Sequence, residues 1–514
     1  MNLSKSKYIT GLQCPKILWM DKHMPEQQTE QNDTRMIVGS RVGDVAMGYF
    51  GAYTEVPFDW GDMDGMITET KCLLNAGTEV IAEAAFSYDG SYCIVDLLRK
   101  AKGGYELIEV KSATGRADED FSTVDWLYLD ELAYQYYILT KNGLNIKKIS
   151  LMRLNSEYVR CGELDLQQLF VITDCTEPVL EIRDVVLENI AELKNFITSK
   201  DEPDCQIGSY CKGCAYQVWC FRNLPAHNVF DIGWRMRGSK KDAAYQDGHI
   251  TFQDILDSSI SLNEQQLLQV KTVVHDLPPH VDRDNIQQFL DSLSYPLYHL
   301  DFETYQQAIP LFDGVWPYLQ LPFQYSIHIQ ETPHAEPTHR EFLGKEGVDS
   351  RRELAERLCA DIPESACVLA YYASFERGRI RELAALFPDL EKHLMRIHDN
   401  ILDLADPFSK GHYYRREMGG SFSIKAVLPA LCGDDPELDY KKLDLIQNGG
   451  DAMNAFATLH EQSPEDIARI RKALLAYCKL DTLAMVRVLD KLYEAVGKPT
   501  VKSKNWYGIF KRKG

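Results

Sequence analysis

The chain has 514 residues, with 56 lysines and arginines against 76 aspartates and glutamates, a formal net charge of −20. That balance argues against a polybasic nucleic-acid coat and against electrostatic membrane binding, and no apolar run reaches the roughly 18–20 residues of a membrane span. Apolar residues at 45% and charged residues at 26% are the mix of a soluble globular protein, long enough for about three domain-sized units. The N-terminal stretch Met1–Lys7 is polar and lacks the apolar core of a signal peptide. Thirteen cysteines in so long a chain are no disulfide framework. A reducing cytoplasm is therefore expected, and any local cysteine cluster points to metal.

Taken in chain order, Tyr92–Leu98 is β-rich, Lys100–Gly104 makes a turn and Tyr105–Lys111 is a second β-rich run, a hairpin pattern. Asp125–Thr140 has helical spacing and stops at Asn142-Gly143, and Lys148–Leu154 is a further strand. Val179–Thr198 is helical and runs into the cysteine-rich stretch Asp201–Cys220, closing an α/β domain over 1–225. Residues 226–289 are a helical connector containing Leu262–Val274, ended by Pro278-Pro279. A second α/β domain over 290–498 opens on the strand Tyr298–Thr304. It continues through Phe323–Gln330, the helix Ser350–Asp361, the strand Ala366–Tyr371 and the long helix Pro464–Val496, which Pro499 stops. Residues 499–514 form a basic tail.

The hairpin carries the first candidate site. Glu109 and Lys111 lie two apart, so they share a strand face, and pairing with the neighbouring strand brings Asp96 beside them. Charged groups inside apolar strands are costly unless they are used or paired. Two carboxylates hold Mg²⁺ or Mn²⁺ against a phosphate oxygen while a lysine stabilises developing negative charge. Gln135, on the following helix, supplies an amide to position substrate or water. Cys211, Cys214 and Cys220 put three thiolates within ten residues, and Cys14 lies far upstream before Pro15. Four thiolates suit tetrahedral zinc or a cubane iron–sulfur cluster. Cys205 is the alternative to Cys14 as fourth ligand.

In the second half, Asp301 and Glu303 flank Phe302 on one strand, and Tyr477 and Asp481 lie one helical turn apart. Glu376 follows the strand Ala366–Tyr371. Asp301, Glu303, Glu376 and Asp481 together would form a two-metal centre for phosphodiester hydrolysis, with Tyr477 orienting the nucleophilic water. Asp403 is a substitute ligand.

The order Cys14, Asp96, Glu109-Val110-Lys111, Gln135 and Cys211-x2-Cys214-x5-Cys220 resembles the iron–sulfur branch of RecB-like nucleases, which includes the AddB exonuclease domain and the CRISPR-associated adaptation exonuclease. The resemblance implies a PD-(D/E)XK fold. Asp96, Glu109 and the Val110 carbonyl would bind metal, Lys111 would be catalytic, and Cys14, Cys211, Cys214 and Cys220 would hold a 4Fe–4S cluster pinning the domain ends together. It departs at Gly39–Asp44: where such enzymes often place a metal-binding His on the first helix, Gly43 stands here, leaving Asp44 as substitute. Residues 290–495 resemble the DnaQ-like exonucleases of the ribonuclease-H-like fold, in the subgroup ending in Tyr-x3-Asp. Here the departure is Glu376, where Asp is general. Pro322–Ser326, Ser421–Lys425 and Tyr477–Thr482 resemble an uncharacterised bacterial family that joins both nuclease types in one chain.

The expectation is a cytoplasmic, metal-dependent nuclease, with single-stranded DNA as the expected partner and no membrane. Its alternative is a nucleic-acid-binding scaffold or redox sensor with spent sites. Arg99, Lys100, Lys102 and Arg116 cluster near the first site, and Arg377, Arg379 and Arg381 near the second. Arg235, Arg237, Lys240 and Lys241 lie in the connector, and Lys511, Arg512 and Lys513 in the tail. These are the expected phosphate contacts, giving weak, salt-sensitive binding.

Overall fold

A computed structural model of the chain describes residues 3–29, 34–433 and 435–497, and the tail with Lys511, Arg512 and Lys513 lies outside them. The chain is mixed α/β and divides into two units. The first comprises Met1–Ile207, Cys211–Asn223 and Gln307–Leu319, and the second Gly208–Tyr210, Leu224–Gln306 and Gln320–Gly514. Two sequence expectations change. The stretch 307–319, expected within 290–498, joins the first unit because Ala308, Ile309 and Tyr318 add to its core and the Tyr318 hydroxyl donates to the Ser112 carbonyl at 2.7 Å. The expected connector 226–289 is part of the second unit, where Trp234 enters the main core and packs on Tyr414 at 4.8 Å between ring centres.

In the first unit the elements run β1 (Leu3–Ser4), α1 (Lys5–Gln13), α2 (Pro15–His23), α3 (Thr34–Met47), β2 (Thr54–Glu55), α4 (Met63–Ala76), β3 (Val80–Tyr88), β4 (Ser91–Ala101) and β5 (Gly104–Gly115). Then come α5 (Trp126–Lys141), β6 (Ile146–Asn155), α6 (Leu166–Leu169), β7 (Phe170–Asp174), α7 (Thr176–Thr198) and α8 (Gln217–Cys220). Strands β2 to β7 follow one another across a single sheet, and β1 pairs with β4. The β4–β5 hairpin is antiparallel from Leu97–Ile108 to Ala101–Gly104. The β5–α5–β6 connection is a parallel crossover, so α5 lies over the strand that carries Glu109 and Lys111. Asp125 caps α5, its carboxylate accepting from the Leu127 N–H, as a helix start requires. One face of the sheet packs against α1, α5 and α7 and the other against α3.

The second unit begins with α9 (Gly238–Gln246), α10 (Phe252–Asp257), α11 (Glu264–Val274), β8 (His280–Val281) and α12 (Arg283–Asp291). It continues through β9 (Leu297–Tyr305), β10 (Leu321–Gln330), β11 (Thr338–Leu343), α13 (Arg351–Asp361), β12 (Cys367–Ala370), α14 (Ser374–Leu386), α15 (Glu391–Asp399) and β13 (Ile401–Asp403). The last elements are α16 (Asp406–Ser409), β14 (Tyr413–Tyr414), α17 (Ile424–Cys432), α18 (Gly449–Ala457) and α19 (Pro464–Ala495). The sheet order is β11-β10-β9-β12-β13, antiparallel on one side of β9 and parallel on the other. The strand order reverses between β9 and β12, and in open α/β sheets ligands bind in the crevice at such a switch point. Among the described residues no helix is long and apolar enough to cross a membrane.

Helix α5 is locked to the sheet by Leu132, Ala133, Ile138 and Leu139, all fully buried. Replacing Ile138 with Ala should lower unfolding free energy by about 2–5 kcal/mol through the cavity it leaves. Urea denaturation of the full chain measures this, and an unchanged midpoint would contradict the packing of α5.

Candidate metal centres

Strands β3, β4 and β5 lose their regular alternation where the first centre forms. Along β4, Cys93 and Val95 join one core and Leu97 the other, so the side-chain pattern breaks at Asp96. Across from it, between Ala82–Leu97 and Ala84–Val95, stands Glu83 with φ of +56°. This conformation is rare for a side-chain-bearing residue and re-aims its neighbours as a bulge does. The hydrogen-bonded pairing of β4 with β5 stops at Leu97–Ile108, and beyond it the Val110 N–H donates to the Asp96 carboxylate at 2.6 Å. Asp96 thereby enters the space beside Glu109.

Five expected residues converge there: Asp96, Glu109, Val110, Lys111 and Gln135. Lys111 Nζ lies 2.7 Å from Glu109 Oε1, and the Gln135 amide donates to Glu109 Oε2 at 2.7 Å. Val110 meets Asp96 through its N–H. Three further residues belong to the centre without having been singled out in the sequence. Lys5 Nζ lies 3.0 Å from both Glu109 oxygens and 3.7 Å from Asp96. Glu131 pairs with Lys111 at 2.7 Å and with Lys5 at 3.6 Å. Glu83 is the third. Glu131 precedes Gln135 by four residues, and Glu83 is a lone charge in an apolar strand; both are readable patterns. Nothing local marks Lys5.

The charges divide in a definite way. Burial acts to raise the Glu109 carboxyl, but Lys111 and Lys5 outweigh it and hold it well below the carboxylate range. Burial would lower Lys111, yet Glu109 and Glu131 carry it above the usual lysine value. Asp96 is raised by burial and by Glu109. Glu131 is pushed up to about 7 by burial and then Glu109, and Glu83 to about 7 by burial and then Asp96. Asp44 is exposed on α3, which packs on the sheet face opposite α5.

The cysteines gather where the two ends of this unit meet. Cys14 ends α1 and precedes Pro15, the first residue of α2. The Cys220 thiol is raised by burial first and then by its neighbours Cys214, Cys14 and Cys211, against Lys16. Cys205, the alternative fourth ligand, adjoins Cys14, and its thiol is raised by burial and then by Cys14. The Tyr216 N–H points at Cys214 Sγ at 3.5 Å. Around them, the Tyr216 hydroxyl donates to Asp21 at 2.7 Å, the Trp19 indole to the Ser199 carbonyl at 3.1 Å, and Lys16 pairs with Glu202 at 2.7 Å.

The second centre is more concentrated. One carboxylate oxygen from each of Asp301, Glu303 and Asp481 lies within 4.8 Å of the others, the one such acidic group among the described residues. Asp301 and Glu303 come from β9, and Asp481 from α19. The rotation of α19 is set by buried polar contacts. Thr482 Oγ1 lies 2.7 Å from both Ser326 Oγ and His328 Nδ1, and the Gln324 amide donates to the Leu474 carbonyl at 2.9 Å. With Thr482 held under the helix, Asp481 is turned toward β9.

Glu376, expected as a fourth ligand, stands outside that set of three. It sits in the first turn of α14, is 2% exposed, and its Oε2 has no hydrogen-bond partner. Burial and then Asp301 raise its carboxyl. Asp403, the substitute ligand, is committed elsewhere: its oxygens accept from the N–H groups of Tyr372, Ala373 and Ala405 at 3.0, 3.1 and 2.9 Å. It clamps the Tyr372 turn, where φ is +65°, and so launches the helix that carries Glu376.

Two residues complete this centre that sequence reasoning missed. The Tyr440 hydroxyl donates to Asp481 Oδ1 at 2.6 Å. Lys425 Nζ lies 5.6 Å from the ring centres of both Tyr440 and Tyr477 and opposes the charge of all three carboxylates. Asp301 is raised by burial and Asp481, Glu303 by burial, Asp301 and Asp481, and Asp481 to about 6 by burial. Tyr477 lies one helical turn before Asp481, and burial and then that carboxylate keep its phenol protonated. Cys478 Sγ lies 3.7 Å from Asp301 Oδ2.

Most basic residues expected to meet phosphates have internal partners. Arg99 pairs with Glu106 and covers the Phe50 ring, and Arg116 pairs with Asp118 and Glu157. Arg377 donates to the Ile401 carbonyl, Arg379 to Gln320 and Glu382, and Arg381 to His398. Lys240 and Lys241 donate to the carbonyls of Ser261 and Phe230, and Arg235 lies over Phe422.

A family model described as a domain of unknown function (DUF2779) matches residues 298–423. That span contains Asp301, Glu303, Glu376 and Asp403 and ends before Lys425 and Asp481. An uncharacterized protein, the MG366 homolog of Mycoplasma pneumoniae, is 24% identical over 208 residues, covering 37% of this chain and 31% of that protein. The chain thus spans less than a third of the length of that curated relative.

Because Asp301, Glu303 and Asp481 are all raised, a proton and a divalent cation compete for the same oxygens. Cation binding should release protons, and below about pH 6 affinity should fall roughly tenfold per pH unit for each proton released. Calorimetric Mn²⁺ titrations in two buffers of different ionisation enthalpy measure this, and an affinity flat from about pH 5 to 7 would contradict it.

Proposed function

We propose that the protein is a divalent-cation-dependent nuclease with a carboxylate centre in each unit and a thiolate-bound 4Fe–4S cluster in the first. The reading rests chiefly on one observation: Asp301, Glu303 and Asp481, drawn from 181 residues of chain, meet within 4.8 Å in a buried place. Buried carboxylates crowded in this way, with Lys425 the cation opposing them, mark a functional site. Asp301, Glu303 and Asp481 would hold Mg²⁺ or Mn²⁺, and the partnerless Oε2 of Glu376 fits as a further donor. Bound there, the cations supply Lewis-acid polarisation of the phosphodiester and a more acidic water.

The chain's own groups do the rest. Tyr477, kept protonated, donates or accepts at one fixed point and so orients the attacking water, while Tyr440 holds Asp481 in place. Lys425 offsets negative charge that grows on the phosphate in the transition state. In the first unit Asp96 and Glu109 would hold the cation, Lys111 would stabilise developing charge and Gln135 orients Glu109. The finer folds, PD-(D/E)XK for the first unit and ribonuclease-H-like for the second, belong to this reading. Supporting them are the splayed β4–β5 hairpin under α5 in the one, and a central strand with two carboxylates in the other.

Cys14, Cys211, Cys214 and Cys220 would hold the cluster, which supplies a covalent tie between the ends of the unit. Tetrahedral zinc, with Zn–S near 2.3 Å, needs sulfurs about 3.8 Å apart. The burial of the Cys220 thiol beside Cys214, Cys14 and Cys211 supports a shared ligand at these four, and iron with sulfide rather than zinc is the composition this reading expects. Single-stranded DNA in the cytoplasm is the substrate this reading favours, and each unit carries exposed aromatics on or beside elements that also carry site residues. Phe121 and Trp126 flank the start of α5, and Tyr372 stands beside Phe422. Such faces stack on unpaired bases. A binding scaffold is the second reading, favoured by Glu376 standing outside the acidic set.

On labelled single-stranded DNA with Mg²⁺ or Mn²⁺, Lys111→Ala and Asp301→Ala should each remove part of the cleavage. The double variant should lose about 10²-fold or more. Cleavage undiminished in the double variant overturns the nuclease reading, and binding without turnover in the wild type selects the scaffold. Anaerobic purification should yield a coloured protein containing iron and sulfide, with Cys14→Ala losing both and unfolding earlier. Zinc without iron would overturn the cluster.

A further inference from the structure

The first centre contains an ammonium group that the nuclease chemistry above does not use. Lys5 begins α1, and its backbone is held from several sides. Ser4 caps the helix through the Lys7 N–H at 3.1 Å, the Leu3 N–H donates to the Gly90 carbonyl at 2.8 Å, and the Tyr134 hydroxyl donates to the Leu3 carbonyl at 2.5 Å. Tyr8 stacks on Tyr134 with ring centres 4.6 Å apart, which fixes α1 against α5. The Lys5 side chain therefore leaves a rigid base and reaches inward on a flexible four-carbon stem.

At its end, Nζ meets three carboxylates. It lies 3.0 Å from Glu109 Oε1 and 3.0 Å from Oε2, 3.7 Å from Asp96 and 3.6 Å from Glu131. A carboxylate offers about four lone-pair positions. Glu109 uses them on two contacts from Lys5, one from Lys111 and one from the Gln135 amide. Lys111 and Gln135 are also anchored, the first by Glu131 at 2.7 Å and the second by its place on buried α5. Lys5 is the donor whose departure opens one lone-pair position on each Glu109 oxygen at once, with Lys111 and Gln135 still in place.

We propose that Lys5 is the resident counter-ion of the first centre, and that a divalent cation binds Asp96 and Glu109 only by displacing its ammonium. The proposal rests on the metal reading of this centre given above. It assigns Lys5 a positioning role: while in place it keeps Glu109 and Asp96 ordered and compensated, and when displaced it retains Glu131 as a partner on the same side. Cation affinity at this centre is thereby set below what the carboxylates alone would give.

The test uses the full chain carrying Asp301→Ala and Glu303→Ala, so that the first centre is read by itself. Mn²⁺ binding is followed by the paramagnetic resonance of the free ion. Lys5→Met should bind Mn²⁺ about tenfold more tightly or better, since no buried ion pair has to be broken. Lys5→Arg should show no tightening, and Asp96→Asn should abolish binding in either background. Unchanged or weaker binding in Lys5→Met overturns the proposal while leaving the metal reading intact. Absence of Mn²⁺ binding in both the parent and Lys5→Met overturns the two together. Because Lys5→Met removes buried charge and its fold must be checked by circular dichroism, a second measurement uses the unaltered chain. Reductive methylation of Lys5, followed by mass spectrometry, should be several-fold faster with Mn²⁺ than with EDTA. Equal rates overturn the proposal.

Discussion

Crowding of buried carboxylates is the constraint on which both units are organised. Bringing like charges together out of water raises their proton affinity unless cations answer them. The two centres answer it differently. In the first, Lys5 and Lys111 lie among Asp96, Glu109 and Glu131, and Glu109 is held ionised while its neighbours are pushed up. In the second, Lys425 is the cation whose charge opposes Asp301, Glu303 and Asp481, and all three carboxyls are raised. The second centre therefore has the larger deficit of positive charge.

Holding such charges together requires rigid surroundings, and the fold supplies them with ordinary devices. A positive-φ residue and a broken strand alternation let Asp96 turn inward. Thr482, clamped between Ser326 and His328, fixes the rotation of α19 so that the adjacent Asp481 faces β9. Asp403 satisfies three backbone N–H groups and pins the turn before Glu376. Each of these residues acts on a neighbour's position, which is why a residue expected as a ligand can serve a centre without touching a cation.

The cysteines stand in a part of the first unit with little apolar core of its own, Trp19, Met20 and Tyr216 being its buried members. Hydrogen bonds and an ion pair already join α2 to the region after α7 there. A ligand shared by Cys14 and the later cysteines would add its binding energy to that junction. Helix α1 spans the distance between this junction and the carboxylate centre, beginning at Lys5 and capped by Cys14 after Gln13.

Local periodicity and turn chemistry are properties of neighbouring residues, so the sequence by itself determined the β4–β5 hairpin, the capped helix α5, strands β9 and β10, and the long helix α19. It also determined that Glu109 and Lys111 share a face, since that follows from strand geometry alone. Which distant residues join them was decided by tertiary structure. Lys5, Glu83 and Glu131 reach the first centre, and Tyr440 and Lys425 the second, because β1 pairs with β4, α5 crosses over β5, and α19 packs on β10. The same holds for residues 307–319, whose apolar side chains complete the first unit's core from within the second half of the chain. Those encounters depend on register and packing between separate elements, across 104 residues for Lys5 and Glu109 and 41 for Tyr440 and Asp481, and local pattern does not fix them.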